Sequence, residues 1–311
     1  MRARPFQQVD VFTAVPCYGN PLAVVLDGSG LTDAAMQRFA HWTNLSETTF
    51  ILPPTEAGRA AGADYRVRIF TPGEELPFAG HPTLGSCHAW LQTGGQPRSG
   101  DTILQECGVG LVRVRRDGAR LAFAAPPLTR SEPDADLLAA VMAALGLQAT
   151  QVVAAQMLDN GPRWLGLLLG DPDALARIDP DHAELKDLGQ KVGVASVKRS
   201  DSAMQLISRS SREARAFDGS KAVAGDPSKD ADLLVRAFAA PVGIPEDPVT
   251  GSLNASLAQW LIADGHLAAP YIASQGENLG RDGVVHITTD AGGQVWVGGE
   301  SVTCISGEVT L

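Results

Sequence analysis

The sequence lacks the cysteine pattern of a disulfide scaffold and the glycine-rich loops that hold nucleotides. Its four cysteines, Cys17, Cys87, Cys107 and Cys304, are scattered over 311 residues and form no CxxC pair. We therefore expect free, mostly buried thiols, with neither a disulfide framework nor a structural zinc site. A GxGxxG or GxxxxGK[ST] loop is also missing, which argues against a nucleotide or dinucleotide cofactor.

The histidines lack the spacing of a metal site. None of the six belongs to an HExxH pattern. His81 and His88 lie two helical turns apart, but the spacing supplies no carboxylate or further imidazole to complete a ligand set. We predict a protein with no metal and no organic cofactor.

An excess of positive charge and a long apolar run are both absent. The net charge is −10 with a pI near 5.0, which argues against nucleic acid or an anionic membrane as the partner. No window approaches the roughly 20 apolar residues of a membrane span. The basic opening from Met1 to Phe6 is followed by Gln7 and Gln8, which interrupt any signal-peptide core. We predict a cytoplasmic protein, with a hydrophobic content of 44% that suffices for two domains.

One acidic loop leading into a helix stands out in the second half. Two prolines bracket Glu246 and Asp247, and Thr250, Gly251 and Ser252 then offer small residues where a helix can begin. The backbone N–H groups of such a helix start point at whatever lies in front of it. The pattern suits an ordinary capped helix, or a carboxylate placed beside an anion-binding corner.

A second copy of this arrangement lies in the first half, where Gly80 and His81 open a helix after the strand-like segment 65–70. The segments that follow, 105–110 and 275–280, also resemble each other. The sequence therefore predicts a pseudo-repeat, with two helix N-termini enclosing a small-molecule site. Short strands around a few well-marked helices indicate an α+β protein.

Glu47 is the third polar feature. It lies between Ser46 and Thr48, where a helix predicted to start at Thr32 has ended near Asn44 and an apolar strand begins. A glutamate at such a corner either faces solvent or points into a cleft.

The repeat divides the chain into two halves. We predict a first half over residues 1–127 and a second over 128–296, with a C-terminal strand at about 297–311 that crosses back to the first half. Residues 295–302 and 308–311 are expected to close as a hairpin. The polar stretch from Ser208 to Asp230 is expected to be an exposed excursion.

Seven short segments together resemble the PhzF family of phenazine-biosynthesis-like isomerases over essentially the whole chain. These segments are Val9–Thr13, Gly19–Pro21, Asn44–Thr48, Phe70–Pro72, Gly80–Leu84, Glu246–Ser252 and Gly280–Arg281. The resemblance implies a diaminopimelate epimerase-like fold: two pseudo-symmetric domains, each a barrel-like, mostly antiparallel sheet wrapped around a central helix. It also implies a homodimer that uses neither cofactor nor metal.

The resemblance implies a set of site residues in the cleft between the domains. Glu47 is expected to move a proton, supported by His81, Asp247 and Ser252. Residues near the substrate are expected to be Asn20, Ser46, Gly80 and Gly251, the last two through N–H groups that hold its carboxylate. Burial and the charge of Asp247 are expected to raise the pKa of Glu47, and the position of His81 favours a neutral imidazole.

Three functions follow. The first is a cofactor-independent isomerase that shifts a proton or double bond in a small, anionic, carboxylate-bearing metabolite. The second is an epimerase or racemase of an amino or hydroxy acid that works without thiols. Dithiol enzymes of this fold carry a cysteine before each helix-opening glycine, where this chain has Ala79 and Thr250. The third is a non-catalytic member that binds a metabolite or a protein partner on the same scaffold.

Overall fold

The structure is a computed structural model that describes residues 1–198 and 230–311. In this part of the chain, 17 strands form one continuous hydrogen-bonded sheet, and seven α-helices accompany it. The excursion expected from Ser208 to Asp230 lies, apart from its last residue, outside the described residues. Within the described ranges no helix has both the length and the apolar character needed to cross a bilayer.

The strands and helices alternate irregularly along the chain. The strands of the first half are β1 (Ala3–Val11), β2 (Asn20–Val25), β3 (Glu47–Leu52), β4 (Tyr65–Phe70), β5 (Glu75–Leu76), β6 (Thr102–Cys107), β7 (Gly110–Asp117) and β8 (Arg120–Ala124). Those that follow are β9 (Thr129–Ser131), β10 (Val152–Asp159), β11 (Arg163–Leu169), β12 (Val192–Val197), β13 (Leu233–Phe238), β14 (Tyr271–Gln275), β15 (Gly283–Thr289), β16 (Val295–Gly299) and β17 (Ser301–Thr310). The helices are α1 (Asp33–Thr43), α2 (Glu56–Ala60), α3 (Gly80–Gln92), α4 (Ala135–Ala144), α5 (Pro172–Ala176), α6 (His182–Asp187) and α7 (Gly251–Ala263).

The two halves have the same strand pairing. In the first half β1 pairs antiparallel with β2, β2 runs parallel to β3, β3 antiparallel to β4, β4 parallel to β6, and β6, β7 and β8 are antiparallel neighbours. In the second half β10, β11, β12, β13, β14, β15 and β16 repeat this order of directions. The fold is therefore α+β with two pseudo-symmetric, mostly antiparallel units, as the sequence predicts.

The last strands connect the two units. β8 pairs with β16, which joins the units, and β17 runs back along β1 from Ala3↔Thr310 to Val11↔Ser301. The expected hairpin near the C-terminus is wrong, because β16 pairs with β15 and β8 whereas β17 pairs with β1. The domain limits at residues 127 and 296 stay predictions.

Each unit encloses one central helix. Most residues of α3 and α7 are buried, which explains why both helices are apolar or small on nearly every face. α3 packs against β1, β2, β3 and β8, and α7 packs against β10, β15 and β16. A single apolar cluster runs through both units, with Leu84 of α3 and Leu257 of α7 fully buried in it. The two helices are therefore held rigidly, and so are the residues at their first turns.

Helix α1 sets the position of Glu47. Thr32 caps its start by accepting a hydrogen bond from the Ala35 N–H, and Asn44 ends it in the left-handed conformation with φ of 55°. Both ends agree with the sequence prediction. The sharp reversal at Asn44 directs the chain straight into β3, so that Glu47 is the first residue of the strand and Ser46 immediately precedes it.

Candidate active site

The N-termini of α3 and α7 touch each other. A Cβ atom added to Gly80 would lie 2.7 Å from Cα and C of Gly251 and 2.9 Å from the Ser252 nitrogen. A Cβ atom on Gly251 would lie 2.9 Å from Cα of Gly80. These distances are too short for a side chain, so glycine at both positions is what permits the contact.

Neither α3 nor α7 has a side-chain N-cap. The N-cap residues Ala79 and Thr250 make no side-chain hydrogen bond to the first turn. Backbone N–H groups of two helices are therefore directed into one small region, where their dipoles favour an anion. This is the arrangement of Gly80 and Gly251 that the sequence predicts for holding a carboxylate.

Glu47 and His81 meet at this junction. Oε2 of Glu47 lies 3.4 Å from Nε2 of His81, and the two side chains are 13% and 4% exposed. Both atoms are buried and have no hydrogen-bond partner within the described residues. Of the two orientations open to a corner glutamate, the structure has the one that points into the cleft.

Asn20, the first residue of β2, links the other polar groups. Its Nδ2 donates to Oδ1 of Asp247 at 2.8 Å and to the carbonyl of Val249 at 2.9 Å, and it lies 3.3 Å from Nδ1 of His81. The Ser46 hydroxyl donates to Oδ1 of Asn20 at 3.3 Å. An amide N–H directed at Nδ1 of His81 places the proton of a neutral imidazole on Nε2, which faces Glu47.

Asp247 is fixed by a polar network at the start of α7. The Thr250 hydroxyl donates to its Oδ2 at 2.6 Å. Gln275 donates from Nε2 to the Asp247 carbonyl at 2.9 Å and to the Thr250 hydroxyl at 3.0 Å, while its Oε1 accepts from the Thr250 N–H at 3.0 Å. Both oxygens of Asp247 are thereby occupied, which holds the carboxylate in one orientation.

The carboxylate of Glu246, next to Asp247 in the sequence, forms an ion pair away from the site. Glu246 forms a two-point ion pair with Arg236, at 2.9 Å and 2.7 Å, and both side chains are buried. Arg236 also donates to the carbonyls of Leu175 and Ile178. Glu246 therefore anchors the loop to β13, and Asp247 is the residue of the pair that faces the site.

Burial dominates the electrostatics of the three titratable groups. It raises the pKa of Glu47 to about 8, helped by the negative charge of Asp247 and opposed by Ser46 and Lys191. Burial also raises the pKa of Asp247 to about 6, although the hydrogen bonds from Thr250 and Asn20 act to lower it. It lowers the pKa of His81 to about 3. Near pH 7 Glu47 is thus mostly a neutral acid, His81 is neutral and Asp247 is mostly ionised.

The structure brings most of the predicted residues together, with one partial exception. Glu47, His81, Asn20, Ser46 and Asp247 form a connected set. Ser252 lies in the first turn of α7 and is mostly buried, but its hydroxyl makes no hydrogen bond to the others within the described residues. The roles assigned to all of these residues stay predictions.

Sequence reasoning missed three residues that line or support the site. Gln275 holds the start of α7, Asn160 donates from Nδ2 to the Ser252 carbonyl at 2.9 Å, and Lys191 interacts electrostatically with Glu47. The resemblance between segments 105–110 and 275–280 is a signal for Gln275. Gln105 donates from Nε2 to the hydroxyl of Thr83 in α3 at 3.1 Å, as Gln275 does to the hydroxyl of Thr250 before α7. Asn160 and Lys191 carry no local signal.

A cavity of about 440 Å³ opens beside the connected set. It lies between the two units, with apolar walls from Leu45, Ile244 and Pro245 and with Asn20 and Ser46 on the side of the site. Its volume is in the range of small-molecule sites. No group of three or more His, Cys, Asp or Glu side chains able to hold a metal ion occurs within residues 1–198 and 230–311.

Comparison with known proteins identifies the family. The model of the phenazine biosynthesis-like protein family, PhzC-PhzF, matches residues 9–307. The chain therefore belongs to this family.

Two relatives and one solved structure are similar over nearly their full lengths. The trans-2,3-dihydro-3-hydroxyanthranilate isomerase of Pseudomonas fluorescens is 31% identical, covering 97% of this chain and 98% of the relative. Antisense-enhancing sequence 1 of Schizosaccharomyces pombe is 32% identical, with 99% of both chains covered. A Bacillus anthracis protein of the PhzF family superimposes with a TM-score of 0.77 and full coverage of both chains at 21% identity, which supports the fold.

These matches confirm the predicted family, the diaminopimelate epimerase-like fold and the assignment to the isomerases. The homodimer and the cytoplasmic location stay predictions.

Proposed function

We propose that the protein is a cofactor-independent isomerase that moves a proton between two carbon atoms of a small, carboxylate-bearing metabolite. The observation that carries this proposal is the position of Glu47, which is buried where two helix N-termini meet. Burial there raises the pKa of its carboxyl group to about 8. A group that removes a proton and returns it needs a pKa near the working pH, because it must be stable in both forms.

The helix starts provide the substrate's anchor. A substrate carboxylate placed against the N–H groups at Gly80–His81 and Gly251–Ser252 interacts with two helix dipoles at once. The same dipoles stabilise the enolate-like charge that appears when a C–H bond next to the carboxylate system breaks. Positioning and transition-state stabilisation therefore come from one structural feature.

The proton then moves in two balanced steps. The ionised form of Glu47 takes a proton from one carbon, and the electrons of the broken C–H bond spread into the conjugated system. The carboxylic acid so formed returns the proton to a different carbon of the same system, which shifts the double bond without any change in oxidation state. In this scheme the Nε2–H of His81 donates toward the Glu47 carboxylate and stabilises its ionised form.

Asp247 and its partners orient the imidazole. Asn20 donates both to Asp247 and toward Nδ1 of His81, so it fixes the tautomer while Asp247 fixes Asn20. Ser46 steadies Asn20 from the other side. Ser252 contributes its backbone N–H and the start of α7.

The pseudo-symmetry favours the proton shift over epimerisation. Glu47 is the first residue of β3 and pairs with Leu22 of β2. Its counterpart in the second unit is Val192, the first residue of β12, which pairs with Leu165 of β11. The second unit thus has an aliphatic side chain where the first has its acid. A single group that removes and returns a proton suits transfer on one face of a substrate, whereas inversion of a stereocentre is best served by two groups on opposite faces.

The test follows carbon-bound hydrogen in D₂O by NMR. Trans-2,3-dihydro-3-hydroxyanthranilate, the compound in the name of the P. fluorescens relative, is the first candidate, followed by other unsaturated carboxylates. We expect deuterium at one carbon of the product, and a loss of at least about 100-fold in Glu47→Gln, in line with the usual contribution of a general acid or base. The matched control is Glu308→Gln on β17, which is exposed and should leave the rate unchanged.

The other outcomes separate the alternatives. Full activity in Glu47→Gln would overturn the role of Glu47. Deuterium at a stereocentre with loss of optical purity would favour the epimerase. Binding of carboxylates in the cleft with no exchange in any of them would favour the non-catalytic member.

A further inference from the structure

Lys191, a lysine of the second unit, interacts electrostatically with Glu47. Lys191 immediately precedes β12, and its side chain is half-buried. Its Nζ lies 5.3 Å from the centre of the buried Trp164 ring. Its carbonyl accepts hydrogen bonds from the Leu165 N–H at 2.9 Å and from Gln190 Nε2 at 2.7 Å. The ammonium group is therefore mounted on a fixed backbone and a rigid ring.

The pseudo-symmetry of the fold relates Lys191 to a residue that lines the cavity beside the site. Glu47 pairs with Leu22 in the parallel β2–β3 pair, and Val192 pairs with Leu165 in the parallel β11–β12 pair. Lys191 therefore corresponds to Ser46, the residue before Glu47. Ser46 lines the cavity beside the site and hydrogen-bonds to Asn20. The second unit thus places a cation where the first places a hydroxyl.

The Lys191 ammonium group lies beside the Trp164 ring, but the carboxylates near it in the described residues are beyond ion-pair distance. Glu47 and Glu74 of the first unit and Asp159 of its own unit interact with it at longer range, and burial lowers the pKa of its ammonium group. Within residues 1–198 and 230–311 none of these carboxylates forms an ion pair with it. Glu47 is mostly protonated near pH 7, so it does not neutralise the lysine there. A partly buried cation in this position is best stabilised by an incoming anion.

Other buried polar atoms of the second unit also lack partners. The indole Nε1 of Trp164, beneath Lys191, and Oδ1 of Asn160 are buried and make no hydrogen bond within the described residues. Asn160 contacts the first turn of α7 through its other amide atom, which donates to the Ser252 carbonyl. Such atoms are costly to leave unpaired, and water or a polar group of a ligand can satisfy them.

We propose that Lys191 is a specificity residue that binds a second anionic group of the substrate, across the cleft from the carboxylate held at the two helix starts. This inference rests on the proposed function and narrows its substrate class to small unsaturated dicarboxylates or carboxylates with another anionic substituent. A substrate that presents an ammonium group at this place would be repelled by Lys191.

Binding of matched probes tests the inference without requiring turnover. Benzoate carries one carboxylate, and phthalate, isophthalate and terephthalate carry a second at increasing separation. Isothermal titration should show that at least one dicarboxylate binds the wild type more tightly than benzoate. In Lys191→Met that preference should fall by at least about tenfold, since a charge-assisted contact contributes this much or more, while benzoate affinity stays within about twofold.

Two variants control for charge and for folding. Lys191→Arg keeps the cation and should retain the dicarboxylate preference. Lys186→Met makes the same substitution at an exposed position of α6 and should leave every affinity unchanged. Should Lys191→Met fail to fold, Lys191→Gln replaces it, and the preference of the wild type itself remains measurable.

Three results would contradict the inference. The wild type could show no preference for any dicarboxylate over benzoate. Lys191→Met could lose affinity equally for all four probes, or it could keep the full dicarboxylate preference of the wild type. The proposed function fails in a different experiment, when Glu47→Gln keeps its rate of carbon-bound exchange. The two failures are therefore distinguishable.

Discussion

Oε2 of Glu47 lies 3.4 Å from Nε2 of His81, and near pH 7 this contact joins a protonated carboxyl group and a neutral imidazole. A salt bridge at this place would require an ionised Glu47 and a protonated His81, but burial disfavours both charges. The contact therefore leaves the carboxyl group free to exchange its proton with a substrate.

The first prediction concerns the pH dependence of activity. Proton removal requires the ionised form of Glu47, so kcat/KM should fall by about tenfold per unit as the pH drops below the pKa of about 8 in the free enzyme. Because the positive charge of Lys191 lowers the pKa of Glu47, Lys191→Met should move this acidic limb of the pH–rate profile to higher pH. A limb near pH 4.5, or one that Lys191→Met leaves in place, would contradict the electrostatic account.

The second prediction concerns stability. The pKa of Glu47 rises from 4.5 to about 8 on folding, so between these values the folded protein binds a proton that the unfolded chain releases. The contribution of Glu47 to the stability of the wild type therefore falls as the pH rises through this window. Glu47→Gln lacks this term, and its free energy of unfolding relative to the wild type should increase from pH 4.5 to pH 8. Urea unfolding at several pH values measures the difference, and a constant difference would be evidence against a raised pKa.

The third prediction tests the contact between the helix starts. Gly80→Ala places a Cβ 2.7 Å from the backbone of Gly251, so α3 and α7 must separate. We expect a loss of about 1–3 kcal/mol in stability, as for other overpacked sites, together with weaker carboxylate binding. Gly307→Ala on β17, where no atom lies within 4 Å of the added Cβ, is the matched control. Thermal unfolding and benzoate titration give the two readouts, and equal behaviour of both variants would contradict the account.

The fourth prediction concerns Asn20. Asn20→Ala removes hydrogen bonds to Asp247 and Val249 and the contact with His81. The pKa of Asp247 should rise further, because one of the hydrogen bonds that lower it is lost. We expect the rate of exchange to fall by about 10²–10³, since the imidazole loses its orientation. Asn278→Ala, at an exposed asparagine whose Nδ2 donates to the Ala176 carbonyl, should leave the rate unchanged.

Much of the fold and of the site follows from local sequence. Thr32 and Asn44 mark the ends of α1 because capping and left-handed residues act within one turn. Gly80 and Gly251 stand out because each opens an apolar helix after a turn. Lys191 could not be found in this way, since its relation to Glu47 depends on two strands that are distant in sequence. The C-terminal hairpin was predicted wrongly for the same reason: strand order across β1, β8, β16 and β17 is decided by long-range packing.

The most direct test of the central claim is the infrared titration of Glu47 in the absence of substrate. Difference spectra between the wild type and Glu47→Gln isolate the carboxyl group from all other acids, with Glu308→Gln as the control. The account predicts a protonated carboxyl band near pH 6.5 that converts to carboxylate with a midpoint near 8. A band that is already carboxylate at pH 6.5, with its midpoint near the ordinary value of 4.5, would contradict it.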